Sequence, residues 1–374
     1  MSAKEYQICT TCIMDTTDPD IVFDENGVCN HCSHAKTFLN SSWHPDEKGE
    51  ELLKEIVKKI KKEGEGKEYD CILGLSGGVD SSYLAYKAVE LGLKPLVVHV
   101  DCGWNSEMAV KNIENLVKTL NLELHTYVVN WEEMKDMQLA FFKSSVANQD
   151  IPQDHAIFAA LYKFAVKNNV KYVLNGSNFA TESILPISWG YNALDYKQIK
   201  GIHKRFGTIK LKTFPHVTFF KRYIYFTLIR RMEVVKMLNL IPYNKEKAME
   251  IMTAKLGWRY YGGKHHESRF TKFFQAYYLP HKFGYDKRRS HYASLIVSRQ
   301  TTRDEAIKEM EKELYPPVEL NDDFDYVAKK LGITSEKLKE YIDQPRKSYL
   351  DYPNNEWLFK FGINLRNKLR KILK

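Results

Sequence analysis

The sequence predicts an α/β protein in which a doubly wound parallel sheet follows a small cysteine-rich unit and precedes a mainly helical region. Three observations carry this. Between residues 69 and 174 short apolar runs alternate with segments of helical period, the pattern of strand–helix–strand units in a parallel sheet. The first strand runs into a glycine-rich turn that opens a helix. Two Cys-x2-Cys pairs lie ahead of both.

Taken in order, residues 8–34 form a unit too small to fold without a metal, with turn residues at Asp15-Thr16-Thr17-Asp18-Pro19 and a short strand at Ile21-Val22-Phe23. Residues 35–68 are charged, and Leu52, Leu53, Ile56, Val57 and Ile60 recur on one helical face. Strands follow at 69–75, 95–100, 125–129 and 171–174, with helices at 81–91, stopped by Gly92, then at 106–120 and 155–167. Between Asp195 and Glu233 no acid interrupts ten Lys or Arg, His203, His216 and many aromatics, so the segment reads as an electropositive surface. The rest is mostly helical, with Thr302-x-x-Glu305 as a capping box. The expected units are a metal ribbon at 1–40, a helical linker at 41–68, the sheet domain at 69–195, and a basic, aromatic and helical substrate or partner region at 196–374.

Composition excludes several classes. A chain of 374 residues with 44% hydrophobic and 13% aromatic residues buries a real core, which removes disorder and a small disulfide scaffold. Charged residues make up 28%, leaving no apolar run near the ~18 needed to cross a bilayer. The N-terminus shows no signal-peptide core, so a cytoplasmic location is expected. A net charge of +9 suits nucleic acid, nucleotides or anionic metabolites without choosing among them.

Cys9, Cys12, Cys29 and Cys32 supply four soft thiolates, a closed tetrahedral shell, and point to structural Zn²⁺. Two disulfides or unligated thiols are the alternative. His31 and His34 lie beside a shell that needs no fifth ligand and read as surface residues.

The chemistry-bearing motif is Ser76-Gly77-Gly78-Val79-Asp80-Ser81. Two glycines let backbone approach a phosphate, while hydroxyls and N–H groups at a helix N-terminus bind it. Asp80 suits such a place when it holds Mg²⁺; an ordinary strand–helix turn is the plain alternative. A kinase-type P-loop is absent, since in the nearest candidate, Gly262-Gly263-Lys264, Trp258 replaces the first glycine and His265 the Ser or Thr.

These six residues resemble the PP-loop of the ATP pyrophosphatase superfamily, which includes NAD, GMP and asparagine synthetases and tRNA-thiolating enzymes. Asn175-Gly176-Ser177-Asn178 with Glu182 is similar to the Gly-Thr-x-Asn-x-x-x-Glu region of NAD synthetase. The resemblance implies a sheet of that type, ATP as cofactor, phosphate contacts from Ser76, Gly77, Gly78, Ser81, Gly176 and Asn178, and Mg²⁺ between Asp80 and Glu182. Alone, Glu182 reads equally as a solvated carboxylate.

The text Cys9-Thr-Thr-Cys12-Ile-Met14-Asp15-Thr16-Thr17-Asp18-Pro19, continuing to Cys29-Asn30-His31-Cys32, and the segment from Gly262 to Phe273 resemble the N-acetyl sugar amidotransferases of bacterial surface polysaccharide biosynthesis. The resemblance implies conversion of an acetamido group on a diacetamido sugar, expected to be nucleotide-linked, into an acetamidino group. It implies ammonia from a separate glutaminase subunit with a cyclase-like barrel companion. Lys264 and Arg269 are candidates to hold pyrophosphate or substrate, and equally plain surface salt-bridge partners. The basic segment is either a docking face or a site for an acidic nucleotide sugar, and nucleic acid is not the expected partner. The basic C-terminal stretch with Leu365, Leu369, Ile372 and Leu373 suits packing on the body, with membrane contact as the alternative. The rival function is tRNA thiolation, against which stands the lack of any cysteine after Cys102. A non-enzymatic zinc-ribbon binding module is a third class, against which the PP-loop motif with Glu182 stands.

Overall fold

A computed structural model describes residues 5–263 and 266–362. Five strands, β1 (Cys71–Gly74), β2 (Pro95–Asp101), β3 (Leu124–Val128), β4 (Tyr172–Leu174) and β5 (Glu233–Val235), form one parallel sheet in the order β3-β2-β1-β4-β5. β1 and β2 are buried almost throughout, as continuous apolar strands covered on both faces must be. The fifth strand was not read from sequence: three residues are too few to show a period.

One face is covered by α2 (Glu47–Glu63), α3 (Val79–Glu90), α4 (Glu107–Thr119) and α9 (Lys245–Leu256). In α2, Asp46 caps the N-terminus by accepting from the Gly49 N–H, and Leu53, Val57 and Ile60 enter the same core as Leu73 and Leu75. The segment read as a linker is therefore a layer of the sheet domain. The other face packs on α5 (Trp131–Ser144), α6 (Ile151–Lys167) and α8 (Tyr196–Phe206). α5 also escaped the sequence reading: Met134, Met137, Phe141 and Phe142 share one helical face, but the polar Glu133, Asp136 and Gln138 are buried beside them and blur the apolar stripe.

The basic segment after α8 is anchored through its backbone, while most of its Lys and Arg side chains stay exposed. Glu133 accepts from the Lys212 and Thr213 N–H groups, and Asp136 accepts from Thr208 and pairs with His203.

A third core joins the cysteine-rich unit and α1 (Asn30–Ser42) to the C-terminal helices α10 (Arg269–Phe273), α11 (Leu279–Phe283), α12 (Lys287–Val297), α14 (Pro317–Leu331) and α15 (Ser335–Asp343). Between them α13 (Arg303–Glu311) starts at the expected capping box, complete in both directions. The expected strand at residues 21–23 is reduced to a single bridge, Phe23 with Cys29, and a second bridge joins Ile8 to Asp15. The stretch 363–374, including Leu365, Leu369, Ile372 and Leu373, and also Lys264, lie outside the described residues.

Candidate active site

Strand order reverses between β1 and β4, and ligands of open parallel sheets collect beyond the carboxyl ends of strands at such a point. The glycine-rich loop leaves β1 there, and Asn175-Gly176 leaves β4. Gly77 has φ +81°, and a Cβ on it would stand 2.5 Å from the Ala109 carbonyl oxygen, so only glycine fits. The Trp258 indole N–H donates to the Gly77 carbonyl at 3.1 Å, and the Tyr261 hydroxyl accepts from the Val79 N–H at 3.2 Å. The Ser76 and Ser81 hydroxyls lie 3.0 Å apart, with Ser76 also accepting from the Gly78 N–H. This hydroxyl pair sits where α3 begins, at the positive end of its dipole.

Ser76, Gly78, Asp80, Ser81, Gly176 and Glu182 line one cavity of about 220 Å³. Glu182 ends the short α7 (Phe179–Glu182). Asp80 Oδ1 accepts from the Asn178 side-chain amide at 3.1 Å and from the Tyr243 hydroxyl. Burial holds the Tyr243 phenol well above its ordinary range, and Asp80 and then Glu182 push it further, so it remains a donor. Two carboxylates and two hydroxyls form a hard-oxygen set that fits Mg²⁺, which Asp80 and Glu182 would hold.

Sequence reasoning missed four contributors. Lys245, Tyr261 and Glu267 line the same cavity, and Tyr243 braces Asp80 from behind. Burial first, then Glu267, raises the Tyr261 phenol far above its usual value. Of these only Glu267 lies in a segment the sequence singled out, Gly262 to Phe273, and all four arrive from 163 to about 190 positions along the chain from the loop. Arg269 goes elsewhere: its Nε donates to Asp323 Oδ1 at 2.7 Å, its guanidinium stacks 3.7 Å over Tyr326, and it lines no part of the cleft. The salt-bridge reading of Arg269 is the one the geometry favours.

Two larger cavities open on this one. The first, about 490 Å³, shares Ser76 and Glu267 with it and has an apolar floor of Leu75, Val98, Val100 and Leu161 beside the polar His99, Asn105 and Gln153. Asp150 on its wall is pushed up to about 8, by burial and then by Asp154. Cys102 also lines it, but burial holds its thiol far above the ordinary value and hence protonated. The second, about 430 Å³, shares Lys245 with the loop cavity and Gln275 and Lys287 with the first. The basic segment at 196–232 lines none of the three.

The sulfurs of Cys9, Cys12, Cys29 and Cys32 all lie within 4.8 Å of one another, at 3.9 Å for Cys9 and Cys32 and 3.7 Å for Cys12 and Cys29. Tetrahedral Zn²⁺ at ~2.3 Å from each sulfur requires about 3.8 Å between them, so the set fits zinc, and all four cysteines are free of disulfides. His31 is not a plain surface residue: it contacts Asp18 at 2.7 Å, and the Ser188 hydroxyl donates to the same carboxylate. Arg289 reaches Asp15 and the Ile13 carbonyl at 3.0 Å each, and Arg303 donates to the Cys9 and Cys12 carbonyls. The cysteine unit is thus clamped to α12 and α13, whose residues wall the second cavity.

Comparison with known proteins agrees with this geometry. Residues 49–214 match the NAD synthase family, and residues 267–366 match the family described as LPS biosynthesis protein WbpG-like, C-terminal domain. The fold and the loop define a domain of the PP-loop ATP pyrophosphatase type. The second match joins an LPS-biosynthesis type C-terminal domain to that fold, in agreement with the resemblance to the N-acetyl sugar amidotransferases. An uncharacterized protein of Methanocaldococcus jannaschii is 34% identical over 113 residues, covering 26% of this chain and 40% of its own length, so the chain spans under half of that curated relative.

Among solved structures, the NH3-dependent NAD synthetase of Campylobacter jejuni has 21% identity and a TM-score of 0.28, covering 39% of this chain and 63% of its own. The NMN synthetase of Francisella tularensis (17%, 0.29) and the NAD+ synthetase of Burkholderia pseudomallei (15%, 0.28) each cover 60% of this chain and 93% of their own.

Proposed function

We propose that the protein is an ATP-dependent amidotransferase that converts an acetamido group of a nucleotide-linked N-acetyl sugar into an acetamidino group during surface polysaccharide biosynthesis. The observation that carries the reading is convergence: the loop cavity of the NAD-synthase-like part is completed by Glu267, and its neighbours by Lys287, Arg288 and His291, all from the WbpG-like part.

An amide carbon is a weak electrophile and its oxygen a weak leaving group. Attack of the amide oxygen on the α-phosphorus of ATP expels pyrophosphate and leaves an O-adenylylated imidate. Ammonia then adds at that carbon, AMP departs with the oxygen, and the amidine is released with one proton passed to solvent. The Ser76 and Ser81 hydroxyls, at the positive end of the α3 dipole, bind the departing phosphates, and Tyr243 and Asn178 hold Asp80 in place. Mg²⁺, when bound, supplies charge neutralisation on the phosphates. Adenosine suits the apolar floor of the 490 Å³ cavity. Ammonia comes from a separate glutaminase with its barrel companion, for which the exposed basic segment offers a face. The protonated state of Cys102 speaks against the persulfide chemistry of a thiolating enzyme.

The test is AMP and pyrophosphate release with ATP, Mg²⁺ and ammonium against nucleotide-linked diacetamido sugars and, separately, unmodified tRNA. A sugar product about one dalton lighter supports the proposal; AMP formed only with tRNA overturns it. Asp80→Ala and Glu182→Ala should abolish AMP formation with zinc content unchanged.

A further inference from the structure

We infer that the 430 Å³ cavity is the site of the substrate's anionic part, the diphosphate or carboxylate of the nucleotide-linked sugar, and that the reacting amide lies where this cavity meets the other two. The inference rests on the amidotransferase reading and adds the location of its second substrate.

Position is the first support. Lys245 lies on the boundary with the phosphate loop, and Lys287 and Gln275 on the boundary with the larger cavity, so a molecule here reaches the α-phosphate without crossing the adenosine site. Charge is the second. The walls carry Lys245, Lys287 and Arg288, with His266 and His291 beside them, against Asp286 and Glu313; Lys272 and Lys312 also line the cavity but are paired, Lys272 with Glu319 and Asp323 and Lys312 with Glu309. An adenine ring needs an apolar slot, whereas a diphosphate needs cations, and each of the two large cavities offers one of these.

Preorganisation is the third. The Arg288 guanidinium is held in one plane: Nε and Nη2 donate to the Asp286 carboxylate at 3.1 and 2.7 Å, and Nη1 donates to the Lys312 carbonyl at 2.7 Å. A guanidinium has five N–H groups, so these three bonds leave two for an oxyanion. Its helix, α12, is fixed in turn by Arg289 on the cysteine unit.

The experiment uses the full chain saturated with Mg²⁺ and α,β-methylene-ATP, titrated calorimetrically with UDP, CMP and glucuronate in separate arms. The expected result is one further binding event per chain for a nucleotide or for the carboxylate, the arms telling phosphate from carboxylate recognition. Arg288→Gln should weaken it about tenfold or more, as loss of a charge-assisted contact does, while changing affinity for the ATP analogue less than twofold. His291→Ala is the second variant should Arg288→Gln misfold, and should weaken the same event. The inference is overturned if every probe binds only by displacing the analogue, or if both variants bind as the wild type does. The two readings fail separately. A second anion site without amidine formation from any sugar sinks the amidotransferase proposal alone, while amidine formation with unchanged sugar KM in Arg288→Gln sinks this one alone.

Discussion

Removing the guanidinium of Arg289 should loosen the cysteine unit and, through it, α12. Asp15 is fully buried and shares its charge with Arg289 at 3.0 Å, while Tyr6, the Thr17 N–H and the Thr17 hydroxyl also donate to it. Breaking a buried pair from one side costs ~3–5 kcal/mol, because a carboxylate is left without its cation. The three remaining donors put Arg289→Ala toward the lower end, about 3 kcal/mol, including the lost bond to the Ile13 carbonyl. That is about a hundredfold in the equilibrium that docks the unit on α12. The assay is zinc release to a chromophoric chelator, run beside sugar KM in the AMP assay. Release should accelerate markedly and KM should rise with little change in ATP affinity. In an Asp15→Asn background, where no charge is stranded, the same substitution should cost only ~1 kcal/mol. Equal effects of Arg289→Ala in both backgrounds, or unchanged zinc release, would refute the clamp.

Other outcomes follow from the same geometry. Asp150, raised to about 8, binds its proton more tightly in the native state than unfolded, so its contribution is full below about pH 4 and is lost as pH climbs through 8; thermal midpoints should fall over that window less steeply in Asp150→Asn, and parallel profiles would count against the buried acid. Tyr243→Phe removes a donor to the Asp80 carboxylate, a contact of about 1.5–3 kcal/mol, and should lower kcat roughly tenfold or more and raise the Mg²⁺ needed for AMP formation; an unaltered Mg²⁺ titration would discard its role. Gly77→Ala and Gly66→Ala share a positive φ, +81° and +75°, but only at Gly77 does backbone stand in the way. Gly66→Ala should cost ~1 kcal/mol in denaturant melts and keep activity, whereas Gly77→Ala should lose turnover altogether.

The parts of the fold legible in the sequence are those with a local cause. Strands β1, β2 and β4 announce themselves as unbroken apolar runs, Gly92 stops α3 with φ +70°, and the four cysteines declare their site by spacing. α5 was hidden because the buried polar residues Glu133, Asp136 and Gln138 interrupt the apolar stripe that reveals a helix. Glu267 and Lys245 were hidden for a different reason: a carboxylate and an ammonium gain meaning only when tertiary folding brings them to the loop cavity. Arg269 misled for the same reason in reverse, since its partner Asp323 lies 54 residues away.

The clamp between the cysteine unit and the C-terminal helices also sets an order of events during synthesis. Arg289 and Arg303 lie 276 and 294 residues after the carbonyls they bind. At ~5–20 residues per second, the N-terminal unit waits roughly 15 to 60 s on the ribosome for its docking surface. Four thiolates within 4.8 Å can close around zinc in that interval without any help from downstream sequence. Metal capture can then precede burial of the surrounding apolar residues, and without the metal Met14, Ile21 and Ala35 would stay open to aggregation throughout the delay.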